Sequence, residues 1–158
     1  MTQTILILLL LLGLNQQSND NLKKKLNEML TKWHHAAAVA DAKIYFSYLA
    51  DDAIYMGTDA AEYWTKAELQ KWAEPWFKRK SAWTIYATKR NIYLSKDKTY
   101  AWFDETLVAG FGPARGSGIL IKTKNGWKIQ HYNLAMTIPN EVSKQVKDIV
   151  ENELKKNK

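Results

Sequence analysis

After Lys80 the spacing of apolar residues changes from a period near 3.6 to a period of 2, and this switch constrains the fold more than any other feature. Upstream, Leu22, Leu26, Met29, Leu30, Trp33, Ala37, Ala40, Ile44 and Tyr48 recur at steps of three and four, the repeat of one helix face. With Asp20 or Asn21 as N-cap, the spacing predicts a long first helix from about residue 21 to about residue 49, with His34 as a point of potential break. Downstream, residues 83–94, 99–108, 115–122 and 127–134 read as strands. The turns between them hold Lys96-Asp97-Lys98, then Gly110 to Gly112 with Pro113, then Lys124-Asn125-Gly126. Asn-Gly between alternating strands is a strong hairpin signal, so the four strands form an antiparallel meander.

Between the two regimes, Ala53-Ile54-Tyr55-Met56 reads as a short strand stopped by Gly57. Asp59 and Glu62 have capping-box spacing and suggest one helical turn. Thr65-Lys66-Ala67-Glu68 is a fuller capping box that opens a second helix, whose apolar face holds Leu69, Trp72, Ala73, Trp76 and Phe77. Pro75 lies inside that pattern and predicts a kink or an early end. Pro139 and Asn140 open a last helix with Val142, Val146, Ile149, Val150 and Leu154 on one side. Helices segregated from an antiparallel sheet make an α+β domain. A long curved sheet around one helix leaves a cavity between them.

At 158 residues the chain is expected to form one domain over residues 20–158, behind a signal-like apolar segment at residues 1–19. Ile5 to Leu12 is an unbroken apolar run, followed by Gly13, Leu14 and polar residues. About ten apolar residues are too few for a membrane span, which takes about 20, but suit the core of a secretory signal. No Lys or Arg precedes the run, and no clear small-x-small cleavage site follows it. Export to the periplasm or the exterior is the expectation, with a cytoplasmic protein carrying an apolar tail as the alternative.

The absence of cysteine rules out disulfides, thiolate catalysis and Cys-ligated zinc. His34 and His35 are neighbours that point about 100° apart on a helix, and no His-x-x-x-His pair occurs, so neither a metal nor a cofactor is expected. The net charge of +7 is spread and interleaved with acids, unlike the clustered patch that nucleic-acid binding needs. Seven Trp and eight Tyr supply rings with a polar tip, which suit pocket walls and interfaces.

The element order, with the residues at its joints, resembles the SnoaL-like branch of the nuclear-transport-factor-2 (NTF2-like) superfamily. The matching pieces are Ala50-Asp51-Asp52-Ala53, Gly57-Thr58-Asp59 with Glu62 and Trp64, Ala101-Trp102, Arg115-Gly116-Ser117-Gly118, and Gly126-Trp127-Lys128-Ile129 running on to Ile138-Pro139-Asn140-Glu141. The resemblance implies a cone-shaped domain, usually a homodimer paired through the outer face of its sheet, with a mostly apolar pocket at the wide end. It does not imply one reaction: relatives include ketosteroid isomerase, polyketide cyclases, dehydratases, epoxide hydrolases and domains that only bind or assemble. The isomerase's catalytic carboxylate has no counterpart among Ile54, Tyr55 and Met56, and no Asp-Arg-Asp trio of the epoxide-hydrolase type can be placed.

Candidate site residues follow from strand alternation. Trp127, Ile129, His131 and Asn133 alternate along the last strand, so His131 and Asn133 are expected on the concave face, as acid–base group and carbonyl holder. Tyr100, Trp102 and Asp104 share one face of their strand, and Ala101, Phe103 and Glu105 share the other. If the first set faces the cavity, Asp104 is the proton shuttle; if the second does, Glu105 takes that place. Asp59 and Glu62 are explained as caps, and a binding role would put Thr58, Asp59 and Trp64 at the pocket mouth beside Tyr55. Arg115 serves an ion pair with Glu62 or Asp104, or grips an anionic group. The expected function is a pocket for a small apolar or aromatic molecule lined by Tyr55, Trp64, Trp102, His131 and Asn133. Two continuations remain open: cofactor-free acid–base chemistry of isomerase, dehydratase or hydrolase type, and a non-catalytic dimerisation or ligand-sensing module of the cell envelope.

Overall fold

The computed structural model describes residues 2–156, and the side chains of residues 16–156. Helix α1 runs Thr2–Ala38 and presents Leu26, Leu30, Trp33, Ala36 and Ala37 to the core, at helical steps on one face. The apolar run from Ile5 belongs to this helix, and its side chains lie outside the described ones. Among the described residues no helix is long and apolar enough to cross a membrane.

The helix stops at Ala38 instead of continuing to residue 49. Ala40 takes a left-handed φ of 54°, and Asp41 then caps a separate helix α2 (Ala42–Ser47), its carboxylate accepting from the Ile44 N–H at 2.9 Å. The break lies there and not at His34, which is buried on the core face.

Strand β1 (Leu49–Met56) follows, then β2 (Tyr63–Thr65), α3 (Lys66–Phe77), β3 (Ile85–Leu94), β4 (Tyr100–Ala109), β5 (Gly112–Thr123) and β6 (Gly126–Met136). A 3-10 turn at Asn140–Val142 and helix α4 (Ser143–Lys156) are the last of the described elements. The anticipated capping box is formed: Glu68 N–H donates to Thr65 Oγ1, and Thr65 N–H donates to Glu68 Oε2. Pro75 sits inside α3, which ends two residues later at Phe77.

The six strands make one sheet in the order β2-β1-β6-β5-β4-β3. The meander β3 to β6 is antiparallel throughout, while β1 joins it by pairing parallel to β6. The sheet wraps α1, which packs along β3. Glycines on the inner face of β5 allow close approach: a Cβ on Gly118 would lie 2.4 Å from the His131 carbonyl oxygen and 2.8 Å from the Phe103 ring.

A bulge in β6 decides what faces the interior. Ile119 pairs with His131 but Leu120 pairs with Ile129, so Gln130 is an extra residue in the ladder. The alternation shifts by one beyond it. Ile129, Tyr132 and Leu134 are buried, and His131 and Asn133 turn to the outer face.

Candidate functional site

A cavity of about 280 Å³ opens between β1, β2, α3, the segment before β3, the β4–β5 turn and β6. Its walls are largely rings. The β1–β2 register sets Tyr55 opposite Trp64, with ring centroids 6.2 Å apart. Helix α3 buries Leu69 and Ala73 and lays Trp72 and Trp76 along the cavity, the one-sided placement that its three- and four-residue spacing dictates. Trp64 lies 4.7 Å from Trp72, and Trp72 lies 6.0 Å from Trp76 and 6.2 Å from Trp83. Successive planes turn by 31° to 41°, as in a curved wall rather than a flat stack.

The polar side chains of the lining are Thr58 and Glu62, with the ring of the buried Tyr55 beside them. Glu62 folds against Gly57 so closely that a Cβ there would lie 2.1 Å from Glu62 Oε2. The Asp59 N–H donates to the same oxygen at 3.2 Å, while Asp59 Oδ1 accepts from the Ala61 N–H at 2.8 Å. Only half of the expected capping box forms: Glu62 Oε2 accepts from the Asp59 N–H, while the Glu62 N–H donates to the Asp59 carbonyl and the segment is a turn and not a helix.

Behind the inner wall lies a buried polar network. Glu105 on β4 accepts from His34 Nε2 at 2.9 Å and from the Tyr132 hydroxyl at 2.8 Å on one oxygen, and from Arg90 Nε at 2.7 Å on the other. Arg90 Nη1 continues to Asn27 and Thr31 on α1, tying helix to sheet. Burial acts to raise the Glu105 carboxyl, but the His34 hydrogen bond, the His34 and Arg90 charges and the Tyr132 hydroxyl outweigh it and hold the group below the usual carboxylate range. Burial pushes the Tyr132 and Tyr55 hydroxyls up, with the charge of Glu105 adding to it at Tyr132 and that of Glu62 at Tyr55. The rings of Tyr55 and Tyr132 are 5.3 Å apart, so one aromatic layer connects cavity and network. Arg90 Nη2 and Trp33 Nε1 are buried without a hydrogen-bond partner among the described residues.

Of the residues anticipated from sequence, the fold brings Tyr55 and Trp64 together at the cavity. Asp59 braces the rim turn and does not line the cavity. Trp102 and Asp104 occupy the outer face of β4, where Trp102 stacks on Tyr93 at 5.5 Å and Asp104 Oδ1 accepts from Asn91 Nδ2 at 2.8 Å. The second set of that strand faces inward, so Glu105 takes the interior place and the Asp104 assignment is corrected. Arg115 is exposed on β5 opposite Thr106, on the outer face too, and pairs with neither Glu62 nor Asp104. His131 and Asn133 are corrected by the bulge.

Sequence reasoning missed Trp72, Trp76 and Trp83 as cavity lining, although α3's apolar face already contained the first two. It also missed His34 as a core group. His34 follows Leu26 and Leu30 at steps of four, which puts it on the buried face. Among the described residues no group of three metal-ligating side chains occurs.

Residues 26–139 match the family model of the SnoaL-like domain. Comparison with curated proteins gives no match. Among solved structures, an NTF2-like protein of unknown function from Pseudomonas putida superposes with a TM-score of 0.65 at 11% identity, over 78% of this chain and 92% of the other. A scytalone dehydratase candidate from Novosphingobium aromaticivorans gives 0.66 at 11% identity, over 78% and 89%. The association domain of C. elegans CaMKII gives 0.61 at 11% identity, over 75% and 98%. At these identities the structural likenesses establish the fold, the NTF2-like cone.

Proposed function

The chain belongs to the SnoaL-like domain family, and we propose that it is a pocket protein whose ligand is a small, largely apolar or aromatic molecule seated between α3 and the sheet. The observation that carries this reading is the ring-walled cavity of about 280 Å³, close to the small end of ordinary ligand sites. Two polar side chains at one side, Thr58 and Glu62, supply orientation. Titration calorimetry with 2-naphthol as a neutral aromatic probe tests it. One saturable site per chain supports the reading, and the absence of saturable heat overturns it.

For cofactor-free chemistry the acid–base group on the cavity wall is Glu62, and the His34–Glu105 pair lies behind that wall. Glu105 is fully enclosed and already salt-bridged to Arg90, so a bound molecule meets it only through the Tyr55–Tyr132 layer. With one carboxylate on the wall and no second acid–base side chain beside it among the described residues, this arrangement favours binding over catalysis as the primary role. Turnover of any carbonyl or hydroxyl substrate that is abolished in Tyr132→Phe would reverse that ranking.

A second reading, assembly, rests on the outer face of the sheet. Tyr93, Tyr100, Trp102, Val108 and Ile119 are all exposed on neighbouring strands, an apolar patch of the kind that marks interfaces. The likeness to an association domain supports the same idea. A homodimer formed through this face is expected to appear in sedimentation at micromolar concentration and to dissociate in Trp102→Glu. A monomeric mass for the unchanged chain contradicts it.

A further inference from the structure

The pocket reading can be carried to a class of ligand. We propose that the preferred occupant is an organic cation of the alkylated ammonium type, packed against the tryptophan wall with its charge beside Glu62.

The charge pattern is the first argument. The chain carries 23 Lys and Arg against 16 Asp and Glu, yet none of the described basic residues lines the cavity. Among the described residues Glu62 is the single charged one there, and it joins no ion pair with any of them. A carboxylate offers about four lone-pair directions, of which the Asp59 N–H takes one at 3.2 Å. A neutral ligand that closed over Glu62 would strip water from this charge and return at most a single hydrogen bond from a hydroxyl, with no counter-charge. An anion would add repulsion with Glu62, and among the described residues no guanidinium or ammonium lines the cavity to receive it. A cation satisfies the group.

The walls supply the second argument. Tryptophan is the best aromatic partner for a cation, because the ring face carries the negative lobe of its quadrupole. Trp64, Trp72 and Trp83 adjoin one another along the cavity, and Trp72 at their centre is still 41% exposed after those contacts. At the rim the protein makes the same kind of contact internally: the Arg79 guanidinium lies 4.0 Å from the Trp76 ring centre. That contact occupies Trp76 and leaves the other three rings to a ligand.

The third argument selects the type of cation. A primary ammonium needs three hydrogen-bond acceptors, and beyond Glu62 this lining offers chiefly the Thr58 hydroxyl. An ammonium whose hydrogens are replaced by methyl groups needs none, and gains from apolar walls. The net charge of +7 opposes cations at long range, so the selectivity is local. It is to be measured at 0.15 M salt, where the screening length is about 8 Å.

The test compares choline with 3,3-dimethylbutan-1-ol, its uncharged carbon analogue of the same shape, and with 2-naphthol, by calorimetry on the full chain. Choline is expected to bind about tenfold more tightly than the alcohol, and Glu62→Gln to remove that preference. Equal affinities for choline and the alcohol overturn the inference without any variant, as does a preference that survives Glu62→Gln. Binding of 2-naphthol alone leaves the pocket reading standing and removes the cation. Binding of none of the three removes both.

Discussion

His34 and Glu105 stand 71 residues apart in the chain and 2.9 Å apart in space, Nε2 to Oε1, with Glu105 wholly enclosed. An ionised carboxylate can only accept, so Nε2 carries the proton of this bond. The opposite oxygen holds Arg90 at 2.7 Å. Glu105→Gln leaves that guanidinium buried without its counter-charge, and the expected loss is about 3–5 kcal/mol in urea denaturation. Asp104→Asn, one residue away on the outer face, should cost less than about 1 kcal/mol. The reverse ranking would mean that β4 is turned over.

The same network sets a pH dependence. Glu105 is held below its ordinary value of 4.5 in the folded protein, so the native state binds fewer protons than the unfolded chain in that region. Its contribution is complete above the unfolded value and is lost as pH falls through the lower folded value. Urea midpoints of the unchanged chain should therefore fall more steeply below pH 4.5 than those of Glu105→Gln. Parallel profiles would contradict this.

At the alkaline end the sign is opposite. Burial raises the hydroxyls of Tyr45, Tyr55 and Tyr132 above the ordinary value of 10.0, so their contribution is intact below that value and lost as pH rises through the folded ones. Phenolate absorbance should show that three of the eight tyrosines ionise only as near-ultraviolet circular dichroism collapses. Smooth titration of all eight in a folded protein would contradict the placement.

Gly116 tests the packing around Tyr132. A Cβ there would come within 2.3 Å of the Tyr132 hydroxyl oxygen and 2.8 Å of Glu105 Oε1. Gly116→Ala should destabilise by about 1–3 kcal/mol. At Gly110 a Cβ meets nothing within 4 Å, so Gly110→Ala should be neutral or slightly stabilising, by up to about 1 kcal/mol.

Much of this architecture was legible in the residues. The Thr65–Glu68 capping box, the Asn125-Gly126 turn and the period change after Lys80 each act over a few residues, and each matches the observed element. What escaped depends on long-range pairing or on a single inserted residue. Nothing local in Leu49–Met56 announces a parallel partner 80 residues away, as Leu49 has in Ile129. Gln130 looks like an ordinary polar position in an alternating strand, yet as a bulge it reverses His131 and Asn133. On β4 both faces carry a ring and an acid, so alternation alone could not orient Trp102 against Phe103 or Asp104 against Glu105. The α1 break was misplaced because Ala40 is a good helix former by propensity, while its φ of 54° is set by the helix-capping turn that follows.

The central claim is that ligands enter beside α3 and not on the outer sheet. Calorimetric titration of 2-naphthol into the unchanged chain, Trp72→Ala and Trp102→Ala tests it most directly. The account expects one site, weakened at least about tenfold in Trp72→Ala, in line with the removal of a large ring from a contact, and unaltered in Trp102→Ala. Affinity lost with Trp102 and retained without Trp72 would contradict it.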